Sequence, residues 1–419
     1  MQADTVVCGI LVDHRGVLGE GCVAARGGLV TGIHRKPVSA ERVLDYRGMG
    51  VYVSPGFIDM HVHLRGLRLD YKEDERSGTA AAASAGITLV ADMPNTVPRL
   101  STPEALEKKL RALRKRSLVD YAVYAGVPDS PGLVEELASL PVAGFKIYPG
   151  DLEERMEAVK RILELPGALV VVHPELPEAE KPVAESNSLR AVHRGCHWEA
   201  AAVQLLRSLE PRARLHITHA SCPSTIEHAR NSGFTVDVAP HHLLLQGWGE
   251  DCLYRVNPPL RSSIEEWRLL QTLLEAGVNA VASDHAPHAA WEKTEPLTCS
   301  PGIAWLEAWP SLLYCLVEAG ALRLEEFLRL AGKGPADILG LRGYGVLEPG
   351  ARADLAAWRP ASTRIGAPRW SKARLVPYFM ERGCMEVLAT LVGGVPVYVE
   401  GELTGEAEAV NPFERSRPG

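Results

Sequence analysis

The sequence has no apolar run of the ~18–20 residues that a helix needs to cross a bilayer, and it begins without a charged segment followed by an apolar one. We therefore expect no membrane association and a cytoplasmic protein. It also has no cluster of lysine and arginine that could face phosphates, and its formal net charge is −7, so nucleic acid is not an expected partner. The densest basic run, 108–116, follows a helical pattern and is expected to be a solvated helix face.

Cys-x-x-Cys motifs are also missing, and the eight cysteines are scattered over the 419 residues. In a cytosolic enzyme such cysteines are usually reduced, so we expect reduced and mostly buried thiols. Apolar residues, by contrast, make up 46% of the chain. This proportion suits a globular protein with a large core.

Three regions of different character predict the domain organisation. Residues 1–53 contain short alternating runs broken by glycines, which are expected to form antiparallel strands. Residues 343–402 return to this pattern, so both regions are expected to build one small β-sandwich-like domain. Between them, 54–342 alternates apolar strands with helical patterns, which predicts an α/β fold, a (β/α)8 barrel of the TIM type. Within the last part, 359–380 is expected to be an irregular loop. The end of the chain, 403–419, is expected to be a disordered tail.

Apolar runs predict the individual barrel strands at 57–63, 88–94, 119–126, 142–148, 168–174, 214–220, 235–239 and 278–284. Helical patterns between them predict helices that include 102–117, 152–165, 197–209, 262–276 and 302–319. One helix start has a distinct signal at 101–104, where Ser-Thr places a capping residue before a first-turn proline.

Polar side chains occupy the ends of the predicted barrel strands, where barrel enzymes have their active sites. His61 and His63 are two apart in one strand and so share a face. Lys146 lies inside an apolar strand, where a charged amine is costly to bury. The residues expected to meet at this rim are His61, His63, Lys146, His173, His219 and Asp284.

A two-metal site explains this set of side chains. We expect the ligands of one cation to be His61, His63 and Asp284, and those of the other to be His173 and His219. Burial would lower the pKa of Lys146, whose neutral amine can add carbon dioxide and bridge both ions as a carboxylated lysine. Nitrogen and oxygen ligands without thiolate suit two zinc ions. Such ions activate a water as hydroxide, and Asp284 is then the expected catalytic acid and base.

Other histidines have weaker assignments. His216 faces away from His219 on the same predicted strand and is expected to pack or to support the site. His241 and His242 end the seventh predicted strand, and their roles stay open. His193 and His197 receive no role.

Several motifs together resemble the cyclic amidohydrolase branch of the amidohydrolase superfamily, and most closely the dihydroorotases. The resemblance covers roughly residues 5–400. The segments that carry it are Pro55-Gly56-Phe57-Ile58-Asp59 to Arg65, Lys72-Glu73-Asp74, Met93-Pro94-Asn95-Thr96, Asn257-Pro258-Pro259-Leu260-Arg261 and Ser283-Asp284-His285-Ala286-Pro287-His288.

The resemblance implies a reaction and a substrate site. Arg65, Asn95 and His288 would bind the free carboxylate of the substrate, and the segment of Asn257 would lie against its ring. The implied reaction is the reversible cyclisation of N-carbamoyl-L-aspartate to L-dihydroorotate in pyrimidine biosynthesis. Aspartate carbamoyltransferase, which makes that substrate, and further copies of this chain are candidate partners.

Some features leave alternatives open. Gly66-Leu67-Arg68 follows Arg65 where the family usually has Glu-Pro-Gly. The segment 289–301 has a sequence of its own, so the sequence does not predict whether it closes over the site as a lid. Asp151 is a second candidate for a bridging carboxylate. A hydantoinase or allantoinase would act on rings without a carboxylate, and an inactive scaffold protein is a third alternative.

Overall fold

The first five strands of the chain belong to a sheet that both chain ends build in the computed structural model, which describes residues 2–180, 186–245, 251–275, 277–294, 299–378, 381–405 and 408–414. These strands are β1 (Ala3–Asp13), β2 (Gly16–Arg26), β3 (Leu29–His34), β4 (Ala40–Asp45) and β5 (Tyr52–Pro55). We expected antiparallel strands here, and β1 pairs antiparallel with β2, but it pairs parallel with β4 and β5. The long β1 thus pairs with successive strands along one edge.

Eight parallel strands form the second sheet, in chain order β6 (Phe57–Val62), β7 (Ile87–Asp92), β8 (Asp120–Gly126), β9 (Gly144–Ile147), β10 (Leu169–Val172), β11 (Arg214–Ile217), β12 (Thr235–Val238) and β13 (Ala280–Val281). Each strand pairs with the next one. The first and last strands approach each other where the His63 N–H donates to the His285 carbonyl at 2.8 Å. The sheet is therefore a nearly closed barrel.

The chain then returns to the terminal sheet with β14 (Leu355–Arg364), β15 (Arg382–Val392), β16 (Val395–Val399) and β17 (Glu402–Leu403). β14 pairs with β5, which joins the two chain ends into one nine-stranded sheet. Val7 and Val23 from the first half share one buried cluster with Leu355 and Leu391 from the second half. The predicted fold class, a TIM-type barrel with a small domain from both termini, is confirmed.

Helices follow the barrel strands and cover the sheet. They are α1 (Glu75–Ser84), α2 (Pro103–Arg116), α3 (Val134–Ser139), α4 (Pro149–Glu154), α5 (Met156–Leu163), α6 (Asn187–His193), α7 (Cys196–Ser208), α8 (Pro223–Asn231), α9 (Pro240–Leu244), α10 (Ser263–Leu274), α11 (Trp309–Glu318), α12 (Leu324–Leu328) and α13 (Gly334–Leu339). At the predicted start of α2, the Thr102 hydroxyl accepts from the Ala105 N–H at 3.3 Å. No helix among the residues described is long and apolar enough to span a membrane.

Some predicted elements differ from the observed ones. The helix expected at 152–165 is two helices, because Arg155 leaves helical geometry with φ −134°. The helix expected at 302–319 begins only at Trp309, where Pro310 occupies the first turn. The loop expected at 359–380 begins later, because β14 continues to Arg364 in pairing with β15.

The end of the chain is not without structure throughout, as we had expected for 403–419. Val410 donates its N–H to Asp120 Oδ1 at 2.8 Å, and Asn411 Nδ2 donates to the Pro141 carbonyl at 2.8 Å. Residues 408–414 therefore lie against the barrel, and these hydrogen bonds explain their order. Residues 406–407 and 415–419 lie outside the described residues.

The prediction of reduced cysteines is wrong. All eight form disulfides, which are Cys8–Cys22, Cys196–Cys222, Cys252–Cys299 and Cys315–Cys384. The bonded residues are 14 to 69 positions apart in sequence. The pairing of β1 with β2 places Cys8 opposite Cys22, whereas the other three pairs are brought together only by the tertiary fold.

Candidate active site

A cavity of about 200 Å³ lies at the carboxyl ends of the barrel strands, where eight of the ten predicted site residues line it. Lys146 and His288 are the two that do not. The lining residues are His61, His63, Arg65, Asn95, Tyr148, His173, Glu180, His219, Asn257, Asp284, Ala286, Pro301 and Gly302. The fold therefore collects side chains that are far apart in sequence into one small space.

Three of the expected ligands form a tight group. Asp284 Oδ1 lies 3.1 Å from His63 Nε2 and 3.4 Å from His61 Nε2. All three side chains are buried, and their ligand atoms lie within 4.8 Å of one another. Two imidazole nitrogens and a carboxylate at this spacing can hold one divalent cation.

The fold fixes which nitrogen of His61 faces the cavity. Thr218 Oγ1 donates to Asp237 at 3.0 Å, so it accepts from His61 Nδ1, 2.6 Å away. The lone pair of His61 Nε2 is therefore directed towards Asp284. Asp237 also accepts from the His219 N–H and from His216 Nε2, so one carboxylate holds three groups of the segment 216–219 and, through Thr218, orients His61.

Asn95 orients His63 in the same way. Its Oδ1 accepts from His63 Nδ1 at 2.6 Å, which leaves the lone pair on the Nε2 that faces Asp284. The amide Nδ2 of Asn95 remains available towards the cavity. Asn95 can therefore orient the expected metal ligand His63 and contact a substrate at the same time.

His173 is oriented by a buried ion pair. Its Nε2 donates to Glu175 Oε2 at 2.6 Å, and Arg194 Nε donates to Glu175 Oε1 at 3.0 Å. Burial acts to raise the pKa of Glu175, but the hydrogen bond from His173 and the charge of Arg194 outweigh it and lower the pKa to about 2. A permanent carboxylate thus leaves His173 Nδ1 as the available nitrogen.

His219 stands next to His61 and His173, with ring centres 5.1 and 4.6 Å away. Burial lowers the pKa of His219 well below its ordinary value, and so it does for His61 and His63. All three are therefore neutral imidazoles, which is the form that binds metal ions.

Lys146 does not line the cavity and is fully buried. Among the described residues its Nζ has no hydrogen-bond partner, and it sits 5.2 Å from the ring centre of Tyr148. Burial lowers the pKa of Lys146, and burial raises that of Asp284. Asp151, the alternative bridging residue, instead accepts from the Tyr148 N–H and pairs with Arg99.

Three cavity residues have a strained backbone. The φ angles of Arg65, His219 and Asp284 are 53°, 40° and 48°, in the left-handed region that L-residues disfavour. Each stands where a strand ends, and the turn directs its side chain into the cavity. Such strain persists where surrounding contacts enforce it, as at many functional sites.

An arginine without a carboxylate partner lines the cavity. Arg65 is buried, and its contacts are the Pro287 carbonyl at 3.3 Å from Nε and His288 Nε2 at 3.3 Å from Nη2. No salt bridge to Arg65 exists in the part of the chain that the structure describes. Lys72 Nζ lies 3.4 Å from His288 Nδ1 but is paired with Glu292 Oε1 at 2.7 Å, so the uncompensated positive charge on this side is that of Arg65. This side of the cavity suits an anion.

Asn257 and His242 have structural partners, whereas the His241 ring has no hydrogen-bond partner in the part of the chain that the structure describes. Asn257 lines the cavity, and its Oδ1 accepts from Arg190 Nη2 at 2.5 Å. His242 Nε2 donates to the Pro258 carbonyl at 3.0 Å, which holds the segment of Asn257 in place. His241 is buried with no hydrogen-bond partner among the described residues.

The donor set fits a pair of metal ions. Lys146 Nζ and His219 Nδ1 are buried polar atoms that lack partners in the described chain, although such atoms are normally satisfied. They lie beside the His61, His63 and Asp284 cluster. Divalent cations at this position would satisfy the imidazoles, and a carboxylate added to Lys146 would satisfy its nitrogen.

Comparison with known proteins agrees with this geometry. The sequence profile of the amidohydrolase family matches residues 52–397. The chain belongs to this family. Amidohydrolases depend on two metal ions, and the protein is a metal-dependent cyclic amide hydrolase.

The most similar relatives found include two archaeal enzymes. A dihydroorotase of Aeropyrum pernix is 43% identical, with 96% of each chain covered. A dihydroorotase of Saccharolobus solfataricus is 36% identical over 88% of this chain and 89% of that protein. Among solved structures, an L-hydantoinase (dihydropyrimidinase) from Arthrobacter aurescens has a TM-score of 0.88 at 24% identity, covering 97% of this chain and 98% of that chain. That structure shows the amidohydrolase fold alone.

Sequence reasoning missed the residues that orient the ligands. Thr218 and Asp237 carry no motif of their own, and the Glu175–Arg194 pair links positions 19 residues apart. Tyr148 could have been found, because it lies two residues after Lys146 and so shares its face of the strand. Glu180 also lines the cavity, and no sequence pattern predicted it.

Proposed function

We propose that this amidohydrolase is a dihydroorotase, which reversibly cyclises N-carbamoyl-L-aspartate to L-dihydroorotate. The observation that carries the proposal is Arg65, a buried guanidinium that faces the cavity without a carboxylate partner among the described residues. A buried charge without a partner is costly, and a substrate carboxylate would neutralise it. A hydantoin ring has no carboxylate to offer, so the cavity favours the acidic ring.

In this proposal Arg65, Asn95 and His288 bind the substrate carboxylate. The guanidinium offers a planar pair of donors that matches a carboxylate. Asn95 offers its Nδ2, because its Oδ1 is already bonded to His63. Asn257 offers its Nδ2 to the ring in the same way, because its Oδ1 accepts from Arg190.

We further propose that two zinc ions are held by His61, His63, Lys146, His173, His219 and Asp284, with Lys146 carboxylated. When bound, such ions polarise the amide carbonyl and lower the pKa of a water. The neutral imidazoles and the oriented nitrogens described above support this ligand set. Burial favours the neutral amine of Lys146, which is the form that adds carbon dioxide.

Asp284 is the proposed acid and base. In the hydrolytic direction its carboxylate takes a proton from the attacking water and then protonates the departing ring nitrogen. Burial raises the pKa of Asp284, which brings it closer to the range useful for proton transfer at neutral pH. The lone pairs of His61 Nε2 and His63 Nε2 lie within 3.4 Å of Oδ1, so a cation shared by the three groups would hold the carboxylate in place.

The direct test measures cyclisation of N-carbamoyl-L-aspartate and hydrolysis of L-dihydroorotate, with metal analysis on the same sample. We expect both reactions and about two zinc ions per chain. Hydantoin and dihydrouracil serve as rings without a carboxylate. Faster turnover of these rings than of dihydroorotate would contradict the proposal.

Lys146→Ala tests the carboxylated lysine. We expect loss of activity, with partial rescue by short carboxylic acids that replace the missing carboxylate. Mass spectrometry of the native protein should show the added mass of one carbon dioxide, absent in the variant. Lys160→Ala, an exposed lysine in α5, is the control and should retain activity. Unchanged activity of Lys146→Ala would exclude the bridging role.

Association with aspartate carbamoyltransferase remains a proposal, as does self-association. The support for the first is chemical, because the product of that enzyme is the proposed substrate. Co-purification of the two proteins would test it.

A further inference from the structure

Lys109 is a lysine of the outer helix layer whose ammonium group is fully buried. Its Nζ donates to the Arg65 carbonyl at 3.0 Å and to Glu75 Oε1 at 2.9 Å, and it lies 2.8 Å from Asp92 Oδ2. An ammonium group has three protons to donate; Lys109 uses two in these hydrogen bonds and forms an ion pair with Asp92. The sequence-based expectation of a solvated face at 108–116 is therefore wrong for this residue, which faces the barrel.

The backbone that Lys109 contacts is unusual. Arg65, Gly66 and Leu67 have φ angles of 53°, 62° and 53°, so three consecutive residues have positive φ; this segment is called the left-handed turn below. Only glycine adopts this conformation without steric cost. The turn therefore needs contacts from outside to persist.

Lys109 and its two carboxylate partners supply such contacts. Asp92 Oδ1 accepts from the Leu64 N–H at 2.8 Å. The Glu75 carboxylate packs against Gly66, where any Cβ would collide with its Oε1. Lys109 binds both carboxylates and the Arg65 carbonyl between them, so one ammonium group ties the start of the turn to β7 and α1.

The side chain of Arg65 is held less firmly than its backbone. Its contacts to the Pro287 carbonyl and to His288 are both 3.3 Å long, near the upper limit for hydrogen bonds. The direction of the guanidinium therefore depends on where the turn places the Cα–Cβ bond.

We propose that Lys109 is a positioning residue for the substrate: by holding the Arg65 carbonyl, it maintains the left-handed turn that directs the guanidinium into the cavity. This inference rests on the proposed function only for the statement that Arg65 binds the substrate carboxylate. Lys109 touches neither the cavity nor the expected metal ligands, so its effect passes through Arg65.

Lys109→Met tests this inference, with Lys108→Met as the matched control, because Lys108 is the exposed neighbour in the same helix. We expect the KM for N-carbamoyl-L-aspartate to rise about tenfold or more in Lys109→Met, with kcat changed less than about threefold and metal content unchanged. Lys108→Met should match the wild type. A fall in kcat at constant KM would overturn the inference.

A double-mutant cycle separates positioning from general stability. If Lys109 acts through Arg65, adding Lys109→Met to Arg65→Ala should raise KM no further. A merely structural lysine would add its full effect to that of Arg65→Ala. Additive effects would therefore contradict the proposal.

Lys109→Met also leaves Asp92 buried without a cation among the described residues, and it leaves Glu75 with Arg116 Nη1 alone, 3.5 Å from Oε2. This loss of charge pairing can impair folding. The substitution is therefore repeated together with Glu75→Gln and Asp92→Asn, which keep the shapes and remove the charges. We expect this triple variant to fold and to show the same rise in KM for N-carbamoyl-L-aspartate as Lys109→Met.

Crystal structures give a result that does not depend on activity. In Lys109→Met, residues 65–67 should leave the left-handed region and the Arg65 side chain should change direction, whereas Lys108→Met should keep the wild-type turn. An unchanged turn would overturn the inference even in an active dihydroorotase. A changed turn in a protein that does not act on carbamoyl aspartate would contradict the proposed function and leave the positioning role supported.

Discussion

At the scale of single residues, the most informative side chain is Arg65. Its guanidinium is buried and contacts two neutral groups, the Pro287 carbonyl and His288. Asp284 and two other carboxylates act on its charge only from beyond salt-bridge distance. Burial, together with the charges of Arg65 and Lys72, lowers the pKa of His288 to about 2, so His288 stays neutral beside Arg65. The positive charge on this wall of the cavity is thus left for the substrate to balance.

Arg65→Lys keeps the charge but removes the planar pair of donors. We expect KM for N-carbamoyl-L-aspartate to rise by about 10- to 100-fold, the loss of one charge-assisted hydrogen bond of about 1.5–3 kcal/mol, while kcat changes little. Steady-state kinetics in the cyclising direction measure this. Arg68→Lys, an exposed arginine of the same loop, is the control and should behave as wild type. A fall in kcat alone would show that Arg65 acts on the chemical step instead.

The same scale shows what a sequence can and cannot reveal about a site. His61, His173 and Asp284 could be read because barrel strands end at one rim, so that position in the pattern predicts position in space. Lys109 could not, because a lysine among basic residues of a helix looks solvated until its partners are known. Asp237 was equally hidden, since its bonds to Thr218 and His219 cross between strands.

At the scale of elements, the barrel strands were predicted closely and the segments after them were not. Strands depend on local alternation and apolar runs, whereas α11 begins late because the chain before it lines the cavity. Gly302 in that segment lines the cavity at φ 142°. The Cys252–Cys299 disulfide also acts at this scale, because it links the segment before Asn257 to the segment before Pro301.

The Cys252–Cys299 bond joins two loops that line the cavity, and it closes a loop of 47 residues. By the loop-entropy relation such a bond stabilises the fold by about 4 kcal/mol. We expect Cys252→Ser/Cys299→Ser to lower the urea midpoint of unfolding and also to raise KM, since the loops move independently. The control, Cys8→Ser/Cys22→Ser, removes a bond between β1 and β2 far from the cavity. This control variant should lower stability and leave KM unchanged. An equal rise in KM in both double variants would show that the Cys252–Cys299 bond does not position the cavity loops.

At the scale of the whole molecule, contacts between the barrel and the terminal domain hold the architecture together. Asp74 caps α1, and its Oδ2 lies 2.6 Å from Lys372 Nζ, in the segment between β14 and β15. Arg116 Nη2, in α2, lies 3.0 Å from the same oxygen. One carboxylate thus joins two barrel helices to the C-terminal part of the chain.

This contact predicts a pH dependence that two substitutions can separate. Burial acts to raise the pKa of Asp74, but the hydrogen bonds from Lys372 and the Ser77 N–H outweigh it and lower the pKa to about 2. Because the folded pKa lies below the ordinary value of 3.8, the carboxylate stabilises the fold above that pH, and this contribution is lost as the pH falls towards 2.

Asp74→Asn keeps the cap and removes the charge, whereas Asp74→Ala removes both. At pH 7 we expect both variants to unfold at lower urea concentration than the wild type, with Asp74→Ala less stable than Asp74→Asn by about 1 kcal/mol for the lost cap. As the pH falls from 4 towards 2, the wild type should converge on Asp74→Asn, because a protonated carboxyl resembles an amide, and Asp74→Ala should stay below both. Urea titrations at three pH values measure these differences. A constant gap between wild type and Asp74→Asn would mean that the ion pairs with Lys372 and Arg116 do not stabilise the contact between the domains.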